Sequence, residues 1–230
     1  MRHRAYRGRM VYRTNGIGEM GREYFAVTVQ PDGMRTLRAQ CEMDDDRLLR
    51  DVVITVDADW RPRDAFLRLS VEEKLVGTSW FRFDGRVAEA EGWTAVGGRF
   101  AQRLETADPV AFFGTHALHC DAWVAGRLRM HVGRPEDFAF VTYASSLLAN
   151  GGSGPELVPV SPGFASVGDL GREAIDGPAG RFDTHHVRIE AHDIDYFDVW
   201  AGGEDCIPVR LTSDVLNQTY ELVEIEGDWR

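Results

Sequence analysis

Cysteine is scarce in this chain. Cys41, Cys120 and Cys206 are an odd number with no CxxC spacing. That argues against a disulfide framework and for buried thiols in a reducing cytoplasm. Long apolar runs are missing too. No stretch approaches the roughly 18 to 20 apolar residues of a membrane span. The opening MRHRAYRGRMVYRTNG is basic but has no apolar centre of the kind a secretory signal needs, and Met1 argues against a processed chain. The expected location is cytoplasmic. Excess positive charge is absent: the formal net charge is -11, which repels phosphate backbones and makes nucleic acid an unexpected partner.

Several chemical signatures are missing as well. There is no P-loop, no G-x-G-x-x-G between a strand and a helix, no HExxH and no EF-hand loop. The glycines of GIGEMG (16–21) and GGSG (151–154) lack the right context and read as turns. No G-x-S-x-G elbow surrounds Ser145 and Ser146, which excludes the usual hydrolase nucleophile. These absences point away from nucleotide cofactors and redox chemistry. They leave reactions that side chains run unaided: proton transfer, elimination, isomerisation or hydration.

What is present is a period of two. The chain has 230 residues, 43% of them hydrophobic, enough for one large β domain. GREYFAVTVQ (21–30), the turn Pro31-Asp32-Gly33 and MRTLRAQCEM (34–43) spell a hairpin. RLLRDVVITVD (47–57), RDAFLRLSVE (63–72) and VGTSWFRFDG (76–85) continue the meander. After the middle of the chain, GRFDTHHVRIE (180–190), DYFDVWAGG (195–203), CIPVRLTS (206–213) and QTYELVEIEG (218–227) read as four further strands, with Pro208 at an edge or strand start. DFAFVTYASSL (137–147) reads as a strand or a short helix, and the Gly/Pro-rich 150–163 as a lid or a connection.

One segment differs. In DPVAFFGTHALHCDAW (108–123), Asp108 is a candidate N-cap and Pro109 a first helical residue. Phe112, His116, His119 and Trp123 then share one helical face. The expected architecture is mainly β: a single domain over 1–230, with two meander-like halves (about 8–106 and 137–227). They form a curved antiparallel half-barrel of about 11 to 13 strands, with one short helix (108–123) over its concave face.

That layout closes on DYFDVWAGGEDCIPVRL and then YELVEIE. It resembles the curved antiparallel-sheet group of LolA-like carriers, VioE-like enzymes and glycolipid-binding bacterial domains. The resemblance implies a half-open sheet and a habit of holding lipophilic or aromatic molecules. It assigns no functional residue.

Candidate residues come from the pattern itself. His116 and His119 could project into a pocket for proton transfer, serve as structural histidines, or share a metal. No third or fourth ligand is identifiable, so no metal is expected. His185 and His186 point to opposite strand faces. His185 shares its face with Val187 and Ile189, so it is the interior candidate, with Asp183 as an orienting partner. Tyr196, Asp198 and Trp200 alternate on one face and suit either a ligand-holding concave surface or outward display. Trp80 and Arg82 form a similar mixed row, Arg82 clamping a ligand carboxylate or pairing with Asp84. Tyr143 could supply a hydroxyl.

The leading expectation is a cofactor-independent enzyme of lyase or isomerase type, acting on a hydrophobic, aromatic small molecule. His116, His119, His185, Tyr196 and Asp198 would supply the chemistry; Phe112, Trp123, Trp80, Arg82, Tyr143 and Trp200 would line the site. The alternative is a non-catalytic lipid or lipophilic-ligand binding protein with the same cradle. A third reading is a structural partner that uses the sheet edges to dimerise, and exposed edges that need cover suit a homodimer in all three cases.

Overall fold

In the computed structural model, residues 2–106, 109–115, 117–130, 142–147, 153–159, 165–191 and 195–230 are described. The period-two segments become strands. The first meander comprises β1 (Arg4–Thr14), β2 (Gly18–Val29), β3 (Arg35–Met43), β4 (Leu48–Val56), β5 (Pro62–Val71), β6 (Lys74–Asp84), β7 (Val87–Thr94) and β8 (Gly98–Glu105). The second comprises β12 (Ala165–Gly177), β13 (Gly180–Ala191), β14 (Asp195–Gly202), β15 (Ile207–Ser213) and β16 (Gln218–Gly227). Between them come β9 (Phe112–Gly114), helix α1 (Leu118–Met130), β10 (Thr142–Leu147) and β11 (Ser153–Pro159).

The two meanders are one sheet. Its order is β12-β13-β14-β15-β16-β1-β2-β3-β4-β5-β6-β7-β8. Every pairing is antiparallel, and β16 joins β1 in the middle. The sheet stays open, with β12 and β8 at its edges. Turn chemistry sets the register where the sequence suggested it would. Gly33 has φ 89°, its N–H donates to Gln30 at 3.0 Å, and the Met34 N–H donates to the Asp32 carboxylate at 3.0 Å. Pro208 occupies the second position of β15.

One face of the sheet is dry. Phe25, Val27, Leu37, Ile54, Leu67, Leu69, Phe81, Val187, Val199 and Leu211 are all nearly inaccessible. Elements β9, α1, β10 and β11 lie over this face. A second, three-stranded sheet, β11-β10-β9, packs against β5–β7. Gln102 pins it by mimicking a strand: its amide donates to the Leu157 carbonyl at 3.2 Å and accepts from the Leu157 N–H at 2.8 Å. Helix α1 packs on β13–β15. Among the described residues, no helix is long and apolar enough to cross a membrane.

The helix corrects the expected boundaries. It runs Leu118–Met130 rather than 108–123, and Phe112 lies in β9. Val110, Phe112 and Phe113 are β-branched or aromatic, and residues 112–114 pair in parallel with β10. Sheet pairing thus claimed the stretch that helical spacing had suggested. Past Trp123 the helix continues through Ala125 and Gly126, because close packing needs small residues there. A Cβ on Gly126 would lie 2.4 Å from the Trp60 ring. Trp60 holds a left-handed backbone, φ 64°, uncommon for a bulky residue. The Asp57 carboxylate fixes that turn by accepting from the Asp59 and Arg61 N–H groups.

Candidate functional site

The cradle holds an unusual density of polar groups beneath α1. Glu23 stands in the inward register of β2 with Phe25 and Val27 and is fully buried. Across the sheet, Met10, Glu23, Cys41 and Arg50 form one row on β1–β4. The Glu23 Oε2 accepts from the Tyr12 hydroxyl at 3.1 Å, the Cys41 thiol at 3.5 Å and the Leu118 N–H at 2.9 Å. The last contact is a helix cap supplied from a distant strand, and a carboxylate there also suits the helix dipole. The second oxygen, Oε1, lies 3.7 Å from His119 Nδ1.

His119 is fully buried. Its ring sits 4.3 Å from Phe25, 6.4 Å from Tyr6 and 5.9 Å from Trp123, centroid to centroid. Neither ring nitrogen has a hydrogen-bond partner; the same holds for the Tyr6 hydroxyl, Arg50 Nε and Nη2, Ser79 Oγ and Trp123 Nε1. Burial pushes the His119 pKa down, against the opposing pull of Glu23, so the imidazole is neutral at pH 7. No group of His, Cys, Asp and Glu suited to a metal occurs among the described residues.

Asp121, one turn into α1, is pushed up to about 7, first by burial and then by Glu23. Its folded pKa lies above its ordinary 3.8, so the native state holds the extra proton and stability falls as pH rises between those values. His119 acts in the opposite sense. Its folded pKa lies below 6.5, so stability is lost as pH falls below that value. Asp121→Asn should therefore stabilise the protein at pH 8 and not at pH 3.5, in paired urea titrations. The gain should be about 2 kcal/mol, below the roughly 4 that the full shift implies, since the side chain is only partly covered. Equal effects at both pH values would remove Asp121 from this account.

The other predicted residues are dispersed. His185 lines a separate cleft of about 800 Å³ with Arg129, Arg172 and Arg230. Its Nε2 is held at 2.8 Å by Asp169 on β12. Asp183 does not hold it: a bulge between Asp169 and Gly171 brings the neighbouring strand's carboxylate closer than a residue two places along the same strand. Asp198 and Trp200 face away from Val187 and Val199, hence away from α1. There Asp198 binds Arg188 through both oxygens, at 2.9 and 2.8 Å, and Trp200 stacks on His186 at 4.2 Å while donating to Glu173 at 2.7 Å. Burial raises the Asp198 pKa, but Arg188 outweighs it and holds the carboxyl below its usual range. Trp80 is 43% exposed on the outer face of β6, and Arg82 shares that face. Phe112 is buried in β9. Tyr143 and Tyr196 stand in β10 and β14, with side chains outside the described part, and His116 lies outside the described residues.

The structure therefore brings together His119 and Trp123 from the predicted set and adds Glu23, Arg50, Tyr6 and Tyr12. Glu23 and Arg50 had a visible signal. Each is a charge at an inward position of an otherwise apolar alternation: Glu23-Phe25-Val27 and Leu48-Arg50-Val52-Ile54.

No protein-family model and no curated protein matches the chain. Among solved structures it is similar to a β-barrel-like protein of the DUF1849 domain from Brucella abortus, with 15% identity, a TM-score of 0.56, and coverage of 98% of this chain and 97% of that one. A DUF1089 family protein from Pseudomonas aeruginosa matches with 13% identity and a TM-score of 0.47, over 81% of this chain and 87% of that one. The first match supports the curved antiparallel fold. It does not extend to a tie with LolA-like or VioE-like proteins.

Proposed function

We propose that the chain is a cofactor-independent acid–base enzyme, of lyase or isomerase type, acting on a hydrophobic small molecule held between the concave face and α1. The observation that carries this reading is the fully buried Glu23–His119 pair, with both imidazole nitrogens unpartnered among aromatic rings. Buried polar groups normally find partners. Several gathered in one interior fit a ligand that is both apolar and functional. Neutral His119 takes the proton, and Glu23 Oε1 steadies the imidazolium that results, the general logic of a base with an orienting carboxylate. The 3.7 Å separation is longer than a hydrogen bond and tightens once a charge develops. Access requires α1 to part from the sheet, and the Glu23–Leu118 bond is its tether.

The test uses nitrobenzisoxazole, an apolar aromatic proton-transfer probe. A base removes its one acidic ring C–H proton as the ring N–O bond breaks, releasing a coloured cyanophenolate. The native chain should turn it over above buffer. His119→Gln should lower the rate about 100-fold while still binding naphthamide by calorimetry. No rate above buffer in the native chain would sink the enzyme reading.

The second reading is a non-catalytic lipophilic-ligand carrier. It is favoured by the aromatic lining around His119, with Phe25, Trp123 and Tyr6 at 4.3, 5.9 and 6.4 Å. Binding of naphthamide by both native and His119→Gln chains, without turnover, is its signature.

A further inference from the structure

We infer that Arg50 anchors an anionic group, so that the molecule held in the cradle is a small hydrophobic acid with one carboxylate; this rests on the interior site proposed above. Arg50 is 1% exposed and stands in the inward register of β4, between Leu48 and Val52. Its Nε and Nη2 are buried without a hydrogen-bond partner. Among the described residues, no carboxylate lies within ion-pair distance of it. Its charge reaches the interior: burial and then Glu23 raise the Cys41 thiol, and Arg50 opposes them.

A guanidinium cannot shed its proton to escape burial. A buried cation therefore needs an anion. Glu23 is the nearest acid in the row, one strand beyond Cys41, and its Oε2 is taken by Tyr12, Cys41 and the α1 cap. The planar fork of Arg50 matches a carboxylate through two parallel hydrogen bonds.

The wall beside Arg50 suits the rest of such a molecule. In register, Arg50 is followed by Leu69 on β5 and Gly77 on β6. Gly77 and Ser79 are small and buried on the same inner face; beyond them Phe81 and Phe83, opposite Ala90 and Ala88, pack on Phe113 and close the wall with apolar rings. Ser79 Oγ is a second buried polar group without a partner. One arginine and one hydroxyl fit a monoanion. Glu23 disfavours a dianion such as phosphate through like-charge repulsion.

The experiment compares naphthoate with its neutral isostere naphthamide by calorimetry at fixed ionic strength, on the native chain, Arg50→Met and Arg50→Lys. The native chain should prefer the acid by about 10-fold or more. Arg50→Met should erase that preference while binding the amide within about 2-fold of native. Arg50→Lys, which keeps the charge without the fork, should retain a reduced preference; it also serves if the methionine variant does not fold. Equal affinity of the native chain for acid and amide overturns the anchor, as does a preference that survives in Arg50→Met. If amide binding and His119-dependent turnover persist in that event, the anchor falls and the enzyme reading stands. If neither naphthalene binds and no turnover is seen, both fall.

Discussion

Asp205→Ala should lower stability by about 3 to 5 kcal/mol and the melting temperature by roughly 10 °C. Asp205 is fully buried in the turn between β14 and β15. Its two oxygens accept from both terminal nitrogens of Arg4, at 2.9 and 2.8 Å, and one also accepts from the Arg230 N–H at 3.0 Å. Arg35 Nε lies 3.9 Å away, and the Arg35 guanidinium rests 3.8 Å above the Trp60 ring. Removing the carboxylate leaves two part-buried guanidinium groups facing one another. It also loosens the Arg35–Trp60 stack on which Gly126 of α1 sits. Thermal and urea unfolding measure the effect. Asp205→Asn, which keeps two potential acceptor lone pairs and loses the charge, should fall between native and alanine. A loss under about 1 kcal/mol in the alanine variant would show that Arg4 and Arg35 find other partners at little cost.

Glu23→Ala should detach α1 before it unfolds the sheet. The change strands the Leu118 N–H, the Tyr12 hydroxyl and the Cys41 thiol in a dry interior. Each stranded donor costs about 1 to 3 kcal/mol, with some relief by rearrangement, giving a net loss of about 3 kcal/mol. The Leu118 contact is the one that ties the helix start to the sheet, whereas Tyr12 and Cys41 stay held by their own strands, so the effect is largest at α1. Amide hydrogen exchange across 118–130 should quicken by about 100-fold, more than that of β5–β8, which make no contact with Glu23. Glu23→Gln, which can still accept from Leu118, should show a smaller change. Uniform acceleration throughout the chain would mean that Glu23 holds the whole fold together rather than the helix.

The sheet was legible in the sequence because its signals are local. Pro31-Asp32-Gly33 names its own turn, and the alternation in β2, β4 and β6 assigns a dry face without reference to anything distant. The helix was legible only in part: of the expected stripe, His119 and Trp123 lie in α1, while Phe112 stands in β9. The starting point of α1 was not legible, because its cap is Glu23, 95 residues earlier. Nothing near Leu118 announces that partner. The same reason hid Asp169 behind Asp183: strand alternation gives a residue's face but not the register of the neighbouring strand, and a bulge shifts that register. Trp80, Arg82, Asp198 and Trp200 were correctly grouped by face. Which face was the inner one depended on how the sheet curves, a property no single strand encodes. Glu23 and Arg50 were readable as charges in an apolar row, but their meaning came only when β2, β3 and β4 placed them one strand apart with Cys41 between.

The junction of β1 with β16 has a consequence for how the molecule assembles. Every other neighbouring pair in the large sheet is consecutive along the chain. This one brings together groups more than 200 positions apart; the side-chain amide of Asn217, for example, donates to the carbonyl of Asn15 across 202 residues. Loop-closure entropy grows only as the logarithm of length, yet among these strand pairs this seam carries the largest share of it, and distant pairings are the slow ones. The floor beneath α1 is split across that seam, with Tyr6 and Phe25 on one side and β13–β15 on the other. The buried polar row of β1–β4 belongs to the first meander, while α1, which reaches Glu23 from above, packs on the second. Joining β1 to β16 is what brings the row and its helix together.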